Sequence, residues 1–426
     1  MSFSKISVIG LGYIGLPTAA MFASKKKQVV GVDVNPHAVN TINRGEIHIV
    51  EPDLDAMVHT AVKEAYLKAV LKPEPADAFL IAVPTPFKSS LNRDNGKNIP
   101  EPDLSYIQKA AKAIAPVLKK GDLVILESTS PVGATEQMAE WLATARLDLS
   151  FPQSVNENAD VNIAHCPERV LPGHVVRELV ENDRVIGGMT TKCSSRAVEL
   201  YKIFVQGKCV ITNARTAEMA KLTENSCRDV QIAFANELST ICDKLDINVW
   251  ELIALANRHP RINILQPGPG VGGHCIAVDP WFIVSKTPEE AQLIHTARKV
   301  NDAKPEWVIN KVKIAIADFL QANPDKTAKD VTISCYGLAF KPDIDDLRES
   351  PALNITKKIA EIHVGEVVAV EPNIISLPVT ESSFELVKFG KAKEVADVHL
   401  LLVDHKEFKN SKFSGQFVID TKGVWK

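Results

Sequence analysis

The sequence lacks any apolar run long enough to cross a membrane, and it has no excess of charge of one sign. Its 49 basic and 52 acidic side chains leave a formal net charge of −3, which argues against a general nucleic-acid or anionic-membrane binder. The first residues show no signal-peptide pattern, because a strand-like segment begins almost at once. We therefore expect a cytoplasmic protein with a small-molecule ligand, no nucleic-acid partner and no insertion into a membrane.

Cysteine is sparse as well. The seven cysteines are scattered, odd in number and contain no C-x-x-C pair. This usage favours reduced thiols over a disulfide framework or a zinc site. We expect no metal, and six of the seven cysteines to be small core residues.

The first segment has the pattern of a dinucleotide-binding unit. A strand at 5–9 runs into Gly10-Leu-Gly12-Tyr-Ile-Gly15, a helix follows, and a second strand ends near Asp33. Gly10 allows the tight turn, Gly12 lets the backbone approach a pyrophosphate, and Gly15 permits close helix–strand packing. A carboxylate after the second strand binds ribose hydroxyls and repels a 2′-phosphate, which favours NAD over NADP.

Two threonines follow later strands of the same predicted sheet. Thr85 comes after the strand at 78–83, and Thr129 after the strand at 123–126. Ligands of a doubly wound sheet lie at the carboxyl ends of its strands, so both hydroxyls could face the cofactor. The alternative is that each is a helix N-cap or a turn hydroxyl.

The middle of the chain is predicted to be helical, with one long helix at 216–244. Glu218, Lys221, Asn225 and Arg228 share one face of it. Such a polar stripe is either the solvated side of the helix or a set of groups that point into a cleft.

At 426 residues the chain is too long for a single core, and a second set of α/β units begins after a polar break at 323–329. The fold class is therefore α/β: two Rossmann-like, doubly wound domains joined by a long central helical segment. We predict a dinucleotide-binding domain at 1–212, a central helical segment at 213–322 and a second Rossmann-like domain at 323–426.

A glycine-rich loop at 266–281 lies within the central segment, between its helices. It places four glycines and two prolines just before Cys275, with Asp279 four residues later. Glycine at this density allows main chain to approach a ligand closely. The alternative is a surface loop that carries an incidental thiol.

Taken together, these motifs resemble the UDP-glucose/GDP-mannose 6-dehydrogenase family over essentially the full length. Within the family, the segments at 167–169, 259–265 and 272–280 resemble the sequences of the UDP-N-acetylhexosamine branch. This branch includes an enzyme of enterobacterial common antigen biosynthesis. The matching motifs are GLGYIGLP (10–17), VPTP (83–86), STSPVG (128–133), PER (167–169), EMAKLTEN (218–225), GPGVGGHC (268–275) and GLAFKPDIDDLRESP (337–351).

The resemblance implies oxidation of the C6 alcohol of a nucleotide sugar to a carboxylate with two NAD and no free aldehyde. Cys275 would form a thiohemiacetal and then a thioester. Lys221 would donate and accept protons, while Asn225 and Asp279 hold a water. Glu168 would assist thioester hydrolysis, with a salt-bridge role as its alternative.

The resemblance also implies binding residues and an assembly. The long helix would form a homodimer, in which Arg261 could reach the partner's site. His274 could tune the Cys275 pKa or be structural. Besides Gly10, Gly12 and Gly15, the expected cofactor contacts are Tyr13, Ile14, Asp33, Thr85, Thr129 and Arg348. The expected substrate contacts are Arg169, Val170, Lys221, Asn225, Arg228, His259, Arg261, Gly272, Phe340 and Lys341.

Several alternatives remain at this point. The expected sugar is UDP-N-acetyl-D-mannosamine, but the same chemistry could act on UDP-GlcNAc, UDP-GalNAc or UDP-glucose, because pocket shape sets that choice. A different class of protein is a catalytically silent dinucleotide sensor. A two-electron hydroxyacid-type dehydrogenase would not need a cysteine in a glycine loop.

Overall fold

The chain divides into two compact units, Met1–Glu224 and Asn225–Lys426. Helix α9 (Ala214–Lys244) continues across the boundary between them, so the three-part division expected from the sequence stays a prediction. The structure, a computed structural model, describes residues 3–49, 51–88, 99–171, 173–273, 275–377, 383–409, 411, 413 and 417–425.

The first unit is built on an eight-stranded sheet in the order β3-β2-β1-β4-β5-β6-β7-β8. Its strands are parallel except at one point, where β7 runs antiparallel to β6 and β8 follows the direction of β7. The strands are β1 (Lys5–Ile9), β2 (Gln28–Val32), β3 (Leu67–Val70), β4 (Ala78–Ile81), β5 (Leu123–Leu126), β6 (Asn162–His165), β7 (Arg184–Gly188) and β8 (Cys209–Asn213).

Helices cover both faces of this sheet, and the central strands are accordingly continuous apolar runs. In β4, Leu80 packs into the core under α1 and α3, whereas Phe79 and Ile81 pack into the core under α4 and α5. The helices are α1 (Gly15–Ser24), α2 (Pro36–Asn43), α3 (Leu54–Lys63), α4 (Ser105–Ile114), α5 (Ala134–Ala145), α6 (Pro152–Val155), α7 (Val175–Glu181), α8 (Thr191–Tyr201) and α9 (Ala214–Lys244).

The second unit carries a parallel five-stranded sheet in the order β11-β10-β9-β12-β13. This order matches the order of the first five strands of the first unit. The strands are β9 (Ile333–Tyr336), β10 (Val367–Val370), β11 (Glu385–Leu386), β12 (Val398–Leu401) and β13 (Val418–Asp420). The helices after α9 are α10 (Val249–Ala256), α11 (Asp279–Lys286), α12 (Gln292–Ala322), α13 (Pro351–Ile362) and α14 (Phe389–Val395).

The predicted fold class is confirmed, with some elements missed. Strand β3 has four residues with one lysine and gave little signal, and nothing in the sequence indicated the reversed direction of β7. Helix α2 did carry a signal: Asn35 accepts a hydrogen bond from the His37 amide as N-cap, and Pro36 occupies the first turn. Within the described residues, no helix combines the length and apolar character that a membrane span requires.

Candidate active site

The turn after β1 is built in a way that only glycine permits. Gly10 has φ +91°, and a Cβ there would lie 2.6 Å from the Ala82 carbonyl oxygen at the end of β4. A Cβ on Gly15 would lie 1.8 Å from the Gly10 carbonyl oxygen. The two glycines therefore allow α1 to start directly against the strand ends, as the fingerprint requires.

The same turn leaves room for a ligand. A Cβ on Gly12 would meet no heavy atom within 4 Å, and Tyr13 beside it is exposed while Ile14 is half-buried. At the end of β2, the half-buried Asp33 carboxylate accepts hydrogen bonds from the amides of Leu11 (2.9 Å) and Asn35 (2.8 Å). Free space over Gly12 beside an oriented carboxylate fits a dinucleotide whose pyrophosphate and ribose need these features.

Thr85 and Thr129 contact one another at the ends of β4 and β5. The Thr85 hydroxyl donates to the Thr129 carbonyl at 2.5 Å, and the Ser128 hydroxyl donates to the Val83 carbonyl at 2.6 Å. Thr85 is thus a turn hydroxyl that joins two ligand-side loops. Its contact with a cofactor, and that of Thr129, stay predictions.

Glu218 does not belong to a solvated stripe. Its side chain is buried and accepts hydrogen bonds from the amides of Gly133 (2.7 Å) and Thr135 (2.8 Å) at the start of α5. Burial raises the pKa of Glu218, although these hydrogen bonds oppose the shift. A carboxylate from α9 therefore fixes the loop that carries Thr129. The sequence signal was too weak to predict this contact, because an acidic residue on one helix does not by itself point to the Gly–Ala start of another.

Glu168 and Arg169 both hold protein partners within the first unit. The buried Glu168 carboxylate lies 2.9 Å from the Arg184 guanidinium and accepts the Arg169 amide at 2.7 Å. The Arg169 guanidinium contacts both oxygens of Glu224, at 3.0 and 2.6 Å. The salt-bridge alternative for Glu168 is therefore present in the structure, and its hydrolytic role stays a prediction. Val170 and Lys221 are half-buried.

A buried network extends from this ion pair. The Arg184 guanidinium stacks 4.7 Å from the Tyr201 ring centroid, and the Tyr201 hydroxyl donates to Glu127 at 2.6 Å. Burial raises the pKa of Glu127 to about 7, although nearby Arg184 opposes the shift. Burial also raises the pKa of the neighbouring Cys166 thiol to about 12, so this cysteine is an inert core residue as expected. The same expectation is wrong for Cys227, which is exposed on α9.

In the second unit, the glycine loop packs tightly against the segment that follows β9. A Cβ on Gly272 would lie 2.5 Å from the Glu349 carbonyl oxygen and 2.9 Å from the Phe340 Cβ. Gly273, with φ +82°, lies against the Phe340 ring. A Cβ on Gly270 would be 3.0 Å from the Pro351 side chain. The loop is therefore a clamped structural element and not a loose surface turn.

This clamped loop presents Cys275 at its end. Cys275 is exposed, and its carbonyl oxygen accepts the Asp279 amide at 2.9 Å as α11 begins. Asp279 is buried, and the Asn225 side-chain amide donates to its carboxylate at 2.5 Å. Three of the residues assigned to catalysis thus lie in one local arrangement. An accessible cysteine can form and release a covalent adduct, and the amide–carboxylate pair holds the turn that follows it.

The remaining predicted contacts of this unit are more dispersed. Arg348 pairs with Asp346, at 2.9 and 2.6 Å. Phe340 and Lys341 are half-buried, whereas Arg228, His259 and Arg261 are exposed. His274, whose tuning or structural role was left open, lies outside the described residues.

The sequence interpretation missed a carboxylate in the second sheet. At the end of β10, Glu371 accepts hydrogen bonds from the amides of Leu338 (2.7 Å) and Ala339 (3.0 Å), as Asp33 does from Leu11. Nε2 of His405 also lies 3.0 Å from this carboxylate. The signal was available, because VVAVEPN at 367–373 repeats the pattern of VVGVDVN at 29–35.

Comparison with known proteins agrees with these features. Models of the UDP-glucose/GDP-mannose dehydrogenase family match residues 4–205 as the NAD binding domain, 215–303 as the central domain and 334–426 as the UDP binding domain. A UDP-N-acetyl-D-mannosamine dehydrogenase of Yersinia pestis is 68% identical over 100% of both chains. An NDP-N-acetyl-D-galactosaminuronic acid dehydrogenase of Ralstonia nicotianae is 60% identical over 100% of this chain and 97% of its own.

A solved structure gives the same result for the fold. The UDP-D-ManNAc dehydrogenase of Pyrococcus horikoshii superposes with a TM-score of 0.85 at 36% identity, covering 99% of this chain and 96% of its own. The resemblance inferred from the motifs and the expectation of NAD as cofactor are confirmed. The chain therefore belongs to the UDP-glucose/GDP-mannose dehydrogenase family and is an NAD-dependent nucleotide-sugar dehydrogenase.

Proposed function

We propose that the protein oxidises C6 of UDP-N-acetyl-D-mannosamine to the uronate, UDP-ManNAcA. The observation that carries the chemistry is the exposed Cys275 at the end of a clamped glycine loop. The choice of sugar rests on the full-length identity of 68% to the Yersinia pestis enzyme of that name. Overall, the alcohol, one water and two NAD⁺ become the carboxylate, two NADH and three protons.

We assign most of the cofactor contacts to the first unit. The turn from Gly10 to Gly15 provides main-chain amides and space for the pyrophosphate, and Asp33 provides a carboxylate for the ribose hydroxyls. NAD, when bound, supplies the hydride acceptor for each of the two oxidations. Tyr13, Ile14, Thr85, Thr129 and Arg348 are the further contacts that we assign to it.

Cys275 supplies the covalent step between the two oxidations. The sulfur adds to the carbon of the C6 aldehyde, and the carbonyl oxygen takes up a proton, which gives a thiohemiacetal. Loss of a hydride and of that proton leaves a thioester. Water then attacks the acyl carbon, the C–S bond breaks, and the thiol is restored. A thiolate both adds to aldehydes and leaves from acyl groups readily, which a serine alkoxide does poorly.

Proton transfer and hydrolysis are assigned to polar residues of α9, of α11 and of the loop after β6. Lys221 takes the proton of the C6 hydroxyl and then stabilises negative charge on the oxygen. Asn225 and Asp279, joined at 2.5 Å, hold the hydrolytic water. Glu168 assists hydrolysis. Because its carboxylate contacts the Arg169 amide and Arg184, that role requires it to exchange one contact for the water.

Cationic and main-chain groups suit a substrate that carries a diphosphate and ends as a uronate. The match of 334–426 to the UDP binding domain supports a UDP-sugar as the small-molecule substrate. The substrate contacts that we assign are Arg169, Val170, Lys221, Asn225, Arg228, His259, Arg261, Gly272, Phe340 and Lys341.

A homodimer through the central helix forms part of the proposal. Phe234 and Ile241 are exposed at 54% and 44% and lie 7 positions apart on one side of α9, and Leu245, exposed at 61%, follows directly after the helix. An apolar row on a long helix favours burial by a second copy, in which Arg261 would act at the partner's site. Light scattering during gel filtration tests it: Phe234→Glu should shift a dimer towards monomer.

We place the enzyme in the cytoplasm, where NAD and UDP-sugars are made. Cell fractionation with an antibody tests this placement, and enzyme recovered in an extracellular or envelope fraction would contradict it.

A second candidate substrate is an NDP-N-acetylgalactosamine-type sugar, favoured by the 60% identity to the Ralstonia nicotianae enzyme. The deciding experiment supplies purified enzyme and NAD with UDP-ManNAc, UDP-GlcNAc, UDP-GalNAc and UDP-glucose, and counts NADH per sugar. We expect UDP-ManNAc to have the highest kcat/KM, with two NADH per sugar. One NADH per sugar would contradict the thioester route. NADH binding without turnover of any sugar would indicate a sensor.

A further inference from the structure

Within the second unit, the part of α9 beyond Glu224 meets α12 through polar side chains where apolar ones are usual. Asp229, Asn236 and Ser239 of α9 face Arg298, Asn301 and Lys304 of α12, and we call these six residues the polar seam. Five of them are buried, with exposures between 0% and 4%. Lys304 Nζ donates to the Ser239 hydroxyl at 2.5 Å, and Arg298 contacts Asp229 at 2.6 Å.

Part of the seam forms a directional hydrogen-bond chain that ends on the glycine loop. The Gly268 amide donates to Asn236 Oδ1 at 2.9 Å. Asn236 Nδ2 then donates to Asn301 Oδ1 at 2.9 Å, and Asn301 Nδ2 donates to Asp229 at 2.8 Å. A backbone amide can only donate and an ionised carboxylate can only accept, so the two ends fix the orientation of both asparagine amides.

The loop is thereby tied to both helices. The amide of its first glycine, Gly268, bonds to Asn236 of α9. A Cβ placed on Gly270 would lie 3.3 Å from the side chain of Pro305, which follows Lys304 of the seam on α12. At its other end, Asp279 bonds to Asn225 of α9. Cys275 therefore lies between two points that α9 holds.

Stability alone does not account for the seam. Replacing buried charged pairs by apolar side chains is often neutral or stabilising, so a polar seam between two long helices contributes register more than stability. Asp229 Oδ2 and Arg298 Nε are buried with no hydrogen-bond partner among the described residues, which is a further cost.

We propose that Asn236 and Asn301 are positioning residues for the Cys275 thiol: their directional chain sets the position of the glycine loop against helices α9 and α12. This inference rests on the proposed covalent role of Cys275. Both asparagine side chains are buried between the two helices. They act by holding the loop where the thiol can reach C6, because small displacements of a reacting group are costly to the rate.

The test compares two substitutions in the seam. Asn236→Leu keeps the side-chain size but removes the acceptor of the Gly268 amide. Ser239→Ala removes a seam hydrogen bond that does not reach the loop. We expect Asn236→Leu to lower kcat by about ten- to a hundredfold, to change the rate of Cys275 alkylation by iodoacetamide, and to leave NADH affinity as in the parent. Ser239→Ala should leave kcat and the alkylation rate as in the parent.

A purely structural seam would give a different pattern. Both variants would then lose melting temperature while kcat and Cys275 alkylation stay at the parent's values, and that result overturns the proposal. If Asn236→Leu does not fold, Asn301→Ala decides by the same two measurements, since Asn236 then loses the partner that orients it. Alkylation needs no turnover, so its outcome is independent of whether Cys275→Ser disproves the covalent mechanism.

Discussion

The side-chain amide of Asn225 donates a hydrogen bond to the carboxylate of Asp279 at 2.5 Å. Asp279 begins α11, and its own amide is bonded to the carbonyl of Cys275. A side chain of α9 thus fastens the turn that carries the nucleophile. Because Asp279 is buried, loss of this contact would leave a buried carboxylate short of a donor and would loosen the turn.

Cys275→Ser separates covalent catalysis from binding. A serine hydroxyl has too high a pKa to add readily to the aldehyde and is a poor leaving group from the acyl stage. We expect production of uronate to fall by about a thousandfold or more, with the affinities for NADH and UDP-sugar as in the parent. Quenched-flow analysis of sugar products, with binding measured by calorimetry, checks both parts.

The control for this variant is Cys227→Ser, which alters the exposed cysteine of α9 and not the loop. It should turn over as the parent does. Parental turnover in Cys275→Ser would remove that thiol from the mechanism.

Asp33→Ala should weaken cofactor binding. The carboxylate orders the turn through the Leu11 amide and is placed for the ribose hydroxyls, so its removal takes away charge-assisted hydrogen bonds. We expect the Kd for NADH to rise about tenfold to a hundredfold, and discrimination against NADP to fall. Fluorescence titration measures both. Asp55→Ala, at an exposed residue of α3, is the matched control, and an unchanged NADH affinity in Asp33→Ala would contradict the assignment.

Glu127→Gln should change how stability depends on pH. The pKa of Glu127 is raised from 4.5 to about 7, chiefly by burial, so between these values the folded protein binds more protons than the unfolded chain. The parent therefore loses stability as pH rises from about 4.5 to 7. Gln still accepts from Tyr201 but does not ionise, so the variant should gain about 3 kcal/mol relative to the parent at pH 8 and little at pH 4.5.

Urea unfolding of both proteins at pH 4.5 and pH 8 measures this difference. Glu140→Gln, at an exposed position of α5, serves as the control and should show no pH-dependent gain in the free energy of unfolding. An equal effect of Glu127→Gln at both pH values would show that Glu127 does not titrate in that window.

Lys304→Met tests the cost of the polar seam. Burial lowers the pKa of Lys304 from 10.5 to about 7, so the unfolded chain binds more protons between these values. The stability of the parent should rise with pH from 7 to about 10. Met fills the same space without a charge, so the variant should lose this rise and gain about 1–4 kcal/mol at pH 7. Melting curves at pH 7 and 9.5 check it, with Lys311→Met, a more exposed lysine of α12, as control.

Much of the scaffold was predictable because its signals are local. The strand at Lys5–Ile9 and the strand at Leu123–Leu126 have the bounds that their apolar runs indicated. The glycine fingerprint and Asp33 were found by spacing alone. Strand β3 and the reversed strand β7 were not, because pairing partners and direction depend on residues far away in the chain.

The sequence by itself determined the family, the fold class and the residues to which we assign the chemistry. Glycine spacing, strand-end acids and the thiol after GPGVGG are short patterns whose physical requirements are local. Only the tertiary structure decided which polar groups meet: Glu218 with the start of α5, Glu168 with Arg184, and Asn236 with Gly268. These contacts join residues from 16 to more than 80 positions apart. Because the polar groups are buried away from water, each needs a partner within the protein.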